Sequence, residues 1–384
     1  MIDQSKNIHP LTESDQKGVR KVMNGNLNKI LSVAGLFCGS LLFSSIYADG
    51  ESSDASSKSS MSLKEITPPA GFAAEQGLGF SIYADFIYWE ARQPNLAFAA
   101  TGSFTVNPDA DNVLPQGEVY FPKFQYKPGF KVGLSIDIGH DNWDLDANYT
   151  WLNGSGEKNS VAQDAGVHTL IPLITIAPTV DDDLTYADGN WFFHHNLINV
   201  TLGRDYFISQ KITLRPHFGL SGAWNHQKND VHYSFESAYS DLTTQVNNYL
   251  KQSYWGVGFN TGISTAWLFD ENWSIYGNFA IMNLWSKYDY ENKQVAYEYD
   301  EYGAIDPDTE NTHAYSQSVQ YGFQNVIDLE MGLRWATTFD DDTMGAALQL
   351  GWEQQVWINH VSYATTGASN LSLQGLTARL KLNF

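Results

Sequence analysis

The chain has 384 residues and a formal net charge of −21, with 17% charged, 14% aromatic and 43% hydrophobic residues. This charge argues against nucleic acid as a partner, because neutralising phosphates requires clustered Lys and Arg side chains. Beyond the N-terminal region no run of 18 or more apolar residues occurs, so the sequence also argues against a helical membrane protein.

The N-terminal region has the pattern of a secretion signal. Lys21 and Lys29 supply basic charge, an apolar segment follows, and the region ends in the small residue Ala48. Residues 1–48 are therefore predicted to be a signal peptide with an over-long N-terminus, in which Met23 is the expected true start. Cys38 is the only cysteine and lies in the apolar segment, so the exported chain is expected to fold without disulfides.

Two further segments follow the signal. Residues 49–78 are rich in Ser and contain Pro68 and Pro69, which is typical of a flexible periplasmic lead-in. A peptidoglycan-binding or lumen-plugging role for this lead-in is the alternative to a plain linker. Residues 79–384 are predicted to form the folded domain.

Alternating polar and apolar residues dominate the domain. In the segment around Pro128, the apolar residues Phe130, Val132 and Leu134 alternate with Lys131, Gly133 and Ser135. Successive side chains of a strand point to opposite faces, so this period of two predicts a ribbon with one apolar and one polar surface. About ten such segments reach the end of the chain, which predicts an all-β fold. A soluble sheet and a transmembrane barrel both fit one such ribbon.

Connection lengths decide between these two folds, because short and long connections alternate along the chain. The short turns are predicted at 140–142, 208–210, 270–272 and 340–343, and the long loops at 91–122, 154–190, 226–250, 287–320 and 358–370. All long loops then lie at one end, as in outer-membrane barrels. The sequence predicts a transmembrane up-and-down antiparallel β-barrel of about 10 strands, within a range of 10–12.

Tryptophan placement gives a second indication of a membrane. Trp255 and Trp267 are twelve residues apart, which at about 3.3 Å per residue and a tilt near 40° spans roughly 30 Å, close to the apolar band of such barrels. Arg204 is the one charged residue on the apolar faces, and Phe384 is a predicted C-terminal insertion signal. The predicted aromatic girdle comprises Trp143, Trp151, Trp224, Trp255, Trp267, Trp273, Trp285, Trp335 and Trp352.

Three segments carry a resemblance to a known family: Asp85–Trp89 within DFIYWEARQ, Pro128–Leu134, and His140–Trp151. They resemble the major outer-membrane, pore-forming proteins of legionellae and environmental chlamydia relatives. The resemblance implies a porin-like role and transfers no catalytic residue. Unlike cysteine-rich chlamydial relatives, the exported chain has no cysteine, so a disulfide-linked envelope role does not carry over.

Charged residues on the polar face are the candidate functional residues. One interpretation is a polarised pore whose opposed charges orient permeating solutes, and the other is a salt-bridged interior that fills the barrel. The predicted pore-lining residues are Lys123, Lys127, Lys131, Asp137, Asp144, Asp146, Arg215, His217, Asp328, Glu330, Arg334, Glu353, Arg379 and Lys381.

Metal and catalytic sites are not predicted. The acidic clusters 181–183 and 299–310 are candidates for divalent cations or plain solvated loops, but a calcium loop beginning at Asp306 would need an acid where Gln317 stands. His194 and His195 are neighbours, so they point to opposite faces and are interpreted as interface histidines. No spacing singles out a Ser, His and acid set, so no enzyme, cofactor or catalytic residue is expected.

The sequence therefore predicts a protein of the outer membrane of a Gram-negative-type bacterium. Its predicted function is a porin-like channel for passive diffusion of small hydrophilic solutes or ions, with a weak preference for cations. The alternative is a structural or adhesive surface protein with a filled lumen. Outer-membrane lipid and the barrel-assembly machinery are the expected partners, and a second copy of the chain and divalent cations at the acidic outer loops are further candidates.

Overall fold

The computed structural model describes residues 79–103, 114–138, 143–163, 169–174, 183–236, 243–299, 311–339, 344–363 and 366–384. Fifteen strands occur there, with a short 3-10 helix at Pro94–Leu96. The strands are β1 (Phe80–Arg92), β2 (Ala99–Ser103), β3 (Leu114–Tyr120), β4 (Tyr126–Asp137), β5 (Trp143–Asn153), β6 (Asn159–Ala162), β7 (Thr169–Pro172), β8 (Asp183–Arg204), β9 (Tyr206–Ser209), β10 (Ile212–Glu236), β11 (Thr243–Leu268), β12 (Trp273–Tyr299), β13 (Asn311–Phe339), β14 (Met344–Tyr363) and β15 (Thr366–Asn383).

Ten of these strands close into a ring. Its order is β1-β4-β5-β8-β10-β11-β12-β13-β14-β15, every neighbouring pair is antiparallel, and β15 pairs with β1. Chain order is kept around the ring, so the predicted up-and-down barrel of ten strands is confirmed. Closure leaves no unpaired edge at the level of the membrane, which matters because hydrocarbon offers backbone groups no hydrogen bonds.

The ring closes at its short-turn end through the two ends of the domain. The backbone N–H of Phe384 donates to the carbonyl of Phe80 at 2.8 Å, and the N–H of Phe80 donates to the carbonyl of Phe384 at 3.1 Å. The two rings stack with centroids 5.0 Å apart. The last residue of the chain therefore belongs to the seam that makes the sheet a barrel.

The outer surface of the barrel is apolar, with exposed side chains such as Phe86, Val132, Phe279 and Leu350. The nine tryptophans of the predicted girdle all face outward in two rows. Within the rows, Trp273 lies opposite Trp335 and Trp224 opposite Trp255. The row near the short turns contains Trp143, Trp267, Trp273 and Trp335, and the other row contains Trp151, Trp224, Trp255, Trp285 and Trp352.

The predicted long loops 226–250 and 287–320 were wrong in extent. Strands β10 and β11 stay paired as far as Glu236 and Thr243, and strands β12 and β13 continue to Tyr299 and from Asn311. Beyond the girdle the outward side chains meet water and are polar, as at Lys287, Asp289 and Glu291 on β12, so the outward apolar pattern stops while backbone pairing continues. Polarity alone therefore placed the ends of these strands too early.

The inner wall also differs from the prediction of a polar lumen throughout. Its short-turn half is polar, but its other half buries large apolar side chains such as Trp89, Trp191 and Phe193. Segments of the first two long connections fold against this half: the small sheet β3-β2-β7 and the 3-10 helix, which carries Leu96. No helix among the described ranges is long and apolar enough to cross a membrane.

Replacing Phe384 by serine is expected to reduce assembled barrel in the outer membrane severalfold, because the stack on Phe80 is lost together with the predicted insertion signal. The measurement is the fraction of heat-modifiable protein in isolated outer membranes. Phe339→Ser is the matched control, since Phe339 is also exposed at the short-turn end of a strand. Equal losses in the two variants would show that Phe384 has no special role in assembly.

Candidate functional site

A polar chamber occupies the short-turn half of the barrel. Its volume is about 300 Å³, and its lining extends from Phe80 and Phe384 at the barrel end to Lys131, Glu353 and Met282 further in. On these strands the apolar side chains occupy the outward positions, which face lipid. The polar side chains occupy the alternating inward positions and line the chamber. Water can occupy such a chamber, since it is roomy and offers many hydrogen-bonding groups.

Twelve of the fourteen residues predicted to line a pore line this chamber. Lys123 and Lys127 do not: Lys123 is exposed in the connection before β4, where it bridges to Glu157 through the backbone, and Lys127 bonds Gln125. Lys123 precedes the barrel strand, which begins only at Tyr126, so alternation there does not indicate the lumen. Lys127 lies on β4 opposite Trp89, at the level of the apolar half and not of the chamber. The residues that line the chamber are Lys131, Asp137, Asp144, Asp146, Arg215, His217, Asp328, Glu330, Arg334, Glu353, Arg379 and Lys381.

Two bidentate ion pairs cross the strand ladder inside the barrel. Arg379 Nε and Nη2 donate to the two carboxylate oxygens of Asp85 at 2.8 and 2.7 Å. Arg215 Nε and Nη2 donate to Asp144 at 2.9 and 2.5 Å. The planar guanidinium matches a carboxylate in this geometry. The Arg379–Asp85 pair fixes the register of the neighbouring strands β15 and β1, whereas Arg215 on β10 reaches Asp144 on β5 over Gly203 of the intervening β8.

A third pair joins strands β4 and β14, which are separated in the ring by β1 and β15. Lys131 Nζ donates to both oxygens of Glu353 at 2.5 and 2.6 Å and lies 4.9 Å from the centre of the Trp89 ring. Thr377 Oγ1 donates to Glu353 Oε2 at 3.1 Å. A buried lysine of this kind needs both a carboxylate and an aromatic face to offset its lost hydration.

Some of the chamber charge remains outside these pairs. Arg334 and Lys381, and the carboxylates of Asp137 and Asp205, line the chamber and make no ion pair within the part of the chain that the structure describes. A salt-bridged interior therefore accounts for only part of the charge. The remaining groups face the chamber.

An apolar layer closes the lumen above the chamber. Seven of the ten barrel strands contribute inward side chains to it, and each of these is at most 1% exposed. Water-sized gaps are therefore lacking around these side chains in the structure. The members of the layer are Ile87, Trp89, Leu152, Leu197, Met282, Leu284, Val326, Trp357, Leu371 and Leu373.

Trp357 is the member of the layer that spans the lumen. Strands β14 and β8 are directly opposite in the ring, yet the ring of Trp357 on β14 lies 5.3 Å from that of His195 on β8. It also lies 5.9 Å from Tyr254 and 5.2 Å from His360. One indole thus joins its own strand to β8 and β11.

The two buried histidines are joined by amides. His195 Nδ1 lies 2.8 Å from Asn225 Oδ1, Asn225 Nδ2 lies 3.2 Å from His360 Nε2, and His360 Nδ1 lies 3.0 Å from Gln324 Oε1. His195 is therefore an interior residue, and its interpretation as an interface histidine was wrong. His194 on the opposite face is exposed, as the alternation predicts.

Above the histidines, a cap formed by the first two long connections covers the lumen. Tyr233 on β10 holds it: the hydroxyl donates to the carbonyl of Phe98 and accepts from the N–H of Ile174 at 3.1 Å. Burial raises the pKa of the Tyr233 hydroxyl well above its usual range, so this group stays protonated and able to donate. A Cβ at Gly189 would lie 2.5 Å from the Phe98 ring, so glycine permits this close docking.

Sequence reasoning missed several interior residues, although strand parity indicates them. Asp85 alternates with the outward Phe86, and Trp357 has the opposite parity to the outward Trp352. Among the described residues no group of three or more His, Cys, Asp and Glu side chains is arranged to hold a metal ion. The acidic clusters 181–183 and 299–310 lie almost wholly outside the described residues.

The family model for the Legionella pneumophila major outer membrane protein precursor matches residues 74–384. The chain belongs to this family. It is therefore an outer-membrane protein, and its general function is that of a membrane channel or surface protein. No curated protein matches the sequence.

Solved structures show similarity at low identity. The outer membrane protease OmpT from Escherichia coli is 8% identical, with a TM-score of 0.37, and the match covers 80% of this chain and 96% of OmpT. A major outer membrane protein from Thermus thermophilus is 9% identical, with a TM-score of 0.29 and coverage of 80% and 100%. The Pseudomonas putida toluene transporter TodX is 9% identical, with a TM-score of 0.24 and coverage of 80% and 89%. The fold assignment depends on the strand pairing above and not on these scores.

Proposed function

We propose that the protein is a porin-like channel for passive diffusion of small hydrophilic solutes and ions across the outer membrane, without a catalytic step. The observation that carries this proposal is the charged chamber inside a closed ring of strands. A barrel that only had to present loops would gain nothing from charged side chains left without ion pairs in its interior, because each of them costs desolvation free energy unless water reaches it.

The charges of the chamber support a weak preference for cations. Seven carboxylates line it against five Lys and Arg side chains, and the difference is carried partly by the unpaired Asp137 and Asp205. Carboxylates along a water-filled path raise the local cation concentration because the surrounding protein focuses their field. The excess is small, so the expected preference is weak.

Conduction requires that the side chains of the apolar layer move apart. A hydrophobic constriction blocks ions by excluding water, and it conducts once it widens enough to be wetted. The layer thus corresponds to the closed state of the proposed channel, and open events should be intermittent at rest.

Purified barrels in planar bilayers are expected to conduct, with a reversal potential on the cation-selective side in a potassium chloride gradient. The variant Asp137→Asn/Asp205→Asn should move this reversal potential toward zero, because it removes two chamber carboxylates. Asp289→Asn is the matched control, since its carboxylate pairs with Lys287 on the outward face of β12. Anion selectivity of the unmodified protein, or equal shifts in the variant and the control, would contradict the proposal.

A second candidate function is favoured by the apolar layer itself. A fully packed outer half and three internal ion pairs also fit a filled-lumen surface protein, whose long hairpins β10–β11 and β12–β13 would bind an envelope or host partner. Liposomes containing that protein would stay sealed to arabinose and to potassium ions. Liposome swelling therefore separates the two candidates.

A further inference from the structure

A patch of amide side chains interrupts the apolar inner wall above the apolar layer. It lies on three adjacent strands, where Gln227 on β10 faces Gln252 on β11, and Leu250 separates Asn229 from Asn292 on β12. Each of these amides is at most 2% exposed. We refer to Gln227, Asn229, Asn248, Gln252 and Asn292 as the amide seam.

The polar atoms of the amide seam are largely unpartnered. Both side-chain atoms of Asn229 and of Asn248 lack a hydrogen bond, as do Gln227 Nε2, Gln252 Oε1 and Asn292 Oδ1, within the part of the chain that the structure describes. Buried polar groups are nearly always paired in folded proteins, because an unmade hydrogen bond forfeits the hydration of the group. The closed arrangement is therefore destabilised along this seam.

The neighbouring amide Asn225 shows that the fold pairs amides elsewhere on the same strand. Its Oδ1 contacts His195 and its Nδ2 contacts His360, two positions before Gln227. Further along β10 the inward residues are Val231 and Tyr233, which are apolar or bonded to the cap. On β10 the amides with unpaired atoms are thus confined to one band, at Gln227 and Asn229.

The band connects with the chamber through small residues. Asn260, whose Oδ1 is also unpartnered, lines the chamber on β11. Between it and Gln252 the inward positions of β11 are Gly258, Gly256 and Tyr254, and the facing position on β10 is Ala223. Tyr254 is the one large side chain among these positions, and its hydroxyl occupies the space beside Gly256, so a route upward along β10 and β11 requires that this ring move.

We propose that the amide seam is the wall of the conducting path through the outer half of the barrel, and that it becomes hydrated when the apolar layer parts. This inference rests on the proposed channel function. Amides offer donors and acceptors without charge, so the seam suits water, hydrated ions and small hydroxylated solutes alike. Discrimination by charge then belongs to the chamber.

The test removes the polar atoms without changing side-chain shape. In Asn229→Leu/Asn248→Leu, the urea midpoint of unfolding in vesicles should rise, because side chains with both polar atoms unpartnered are replaced by apolar ones. Entry of arabinose into liposomes and single-channel open time should fall severalfold, because the closed state gains stability and the path loses its hydrogen-bonding wall. Asn225→Leu is the matched control, and its urea midpoint should fall because it breaks two contacts.

The outcomes separate this inference from the channel proposal. A lower urea midpoint in the double variant, like that of Asn225→Leu, would show that the two asparagines are bonded and would overturn the proposed role of the seam. A higher urea midpoint with unchanged arabinose entry would show that the conducting path lies elsewhere, and would also overturn the proposed role of the seam. An unmodified protein that neither conducts nor admits arabinose would overturn the proposed channel function and, with it, the proposed role of the amide seam.

Discussion

Replacing Trp357 by alanine is expected to raise the conductance of the barrel severalfold and to lengthen its open events. The indole is fully buried, reaches His195 across the lumen and also touches Tyr254 on β11 and His360 on its own strand. Its removal leaves a gap bordered by imidazole and amide groups, which retain water where an apolar lining would stay dry. The polar chamber below would then continue into the outer half.

The same substitution should destabilise the barrel, because truncating a buried aromatic residue costs about 3–5 kcal/mol in a packed core. Refolded protein should nevertheless remain heat-modifiable, since the strand ladder around β14 does not depend on this side chain. The conductance is measured in planar bilayers at equal protein insertion, which separates the effect on the path from the effect on yield.

Trp352→Ala is the matched control for this experiment. Trp352 lies on the same strand, five residues away, and its side chain faces outward and is half exposed. Its loss should weaken anchoring at the membrane interface and leave the conductance unchanged. If Trp357→Ala and Trp352→Ala conduct alike, the indole across the lumen does not control the path.

Strand parity predicted the chamber side of the wall because the membrane imposes it. Outward positions must be apolar in hydrocarbon, so Lys131, Asp144 and Arg379 had only the interior left to them. The proximity of the first and last strands follows from closure of the ring, but the opposition of Asp85 to Arg379 depends on register. Polarity of single residues does not reveal that register.

The outer half could not be predicted in the same way, because the lipid constraint ends at the girdle. There the outward positions become polar and the apolar side chains lie at inward positions, as with Val231, Tyr233 and Phe235 on β10. The outward apolar pattern of the membrane-spanning part therefore did not extend along the continuations of β10 to β13. Parity places Trp357 inside, yet only the diameter of a ten-stranded ring shows that its side chain reaches the opposite wall. Lys123 failed for a related reason: its alternation belongs to a connection and not to a barrel strand.

A large loss of stability is also expected from Arg379→Met. Asp85 has a fully buried side chain, whereas that of Arg379 is 18% exposed to the chamber. Loss of the arginine leaves a buried carboxylate without its ion-pair partner, and removal of one partner from such a pair typically costs about 3–5 kcal/mol. The urea midpoint of unfolding, followed by tryptophan fluorescence in lipid vesicles, should fall accordingly.

The reciprocal variant Asp85→Leu should cost clearly less, because Arg379 retains contact with water and with the Tyr83 ring 4.5 Å away. The double variant Arg379→Met/Asp85→Leu should recover most of the lost stability, since two apolar side chains then replace a pair whose attraction only offsets its desolvation. If the double variant were as unstable as Arg379→Met alone, the pair would contribute through its bidentate geometry, and the position of β1 against β15 would depend on those two hydrogen bonds.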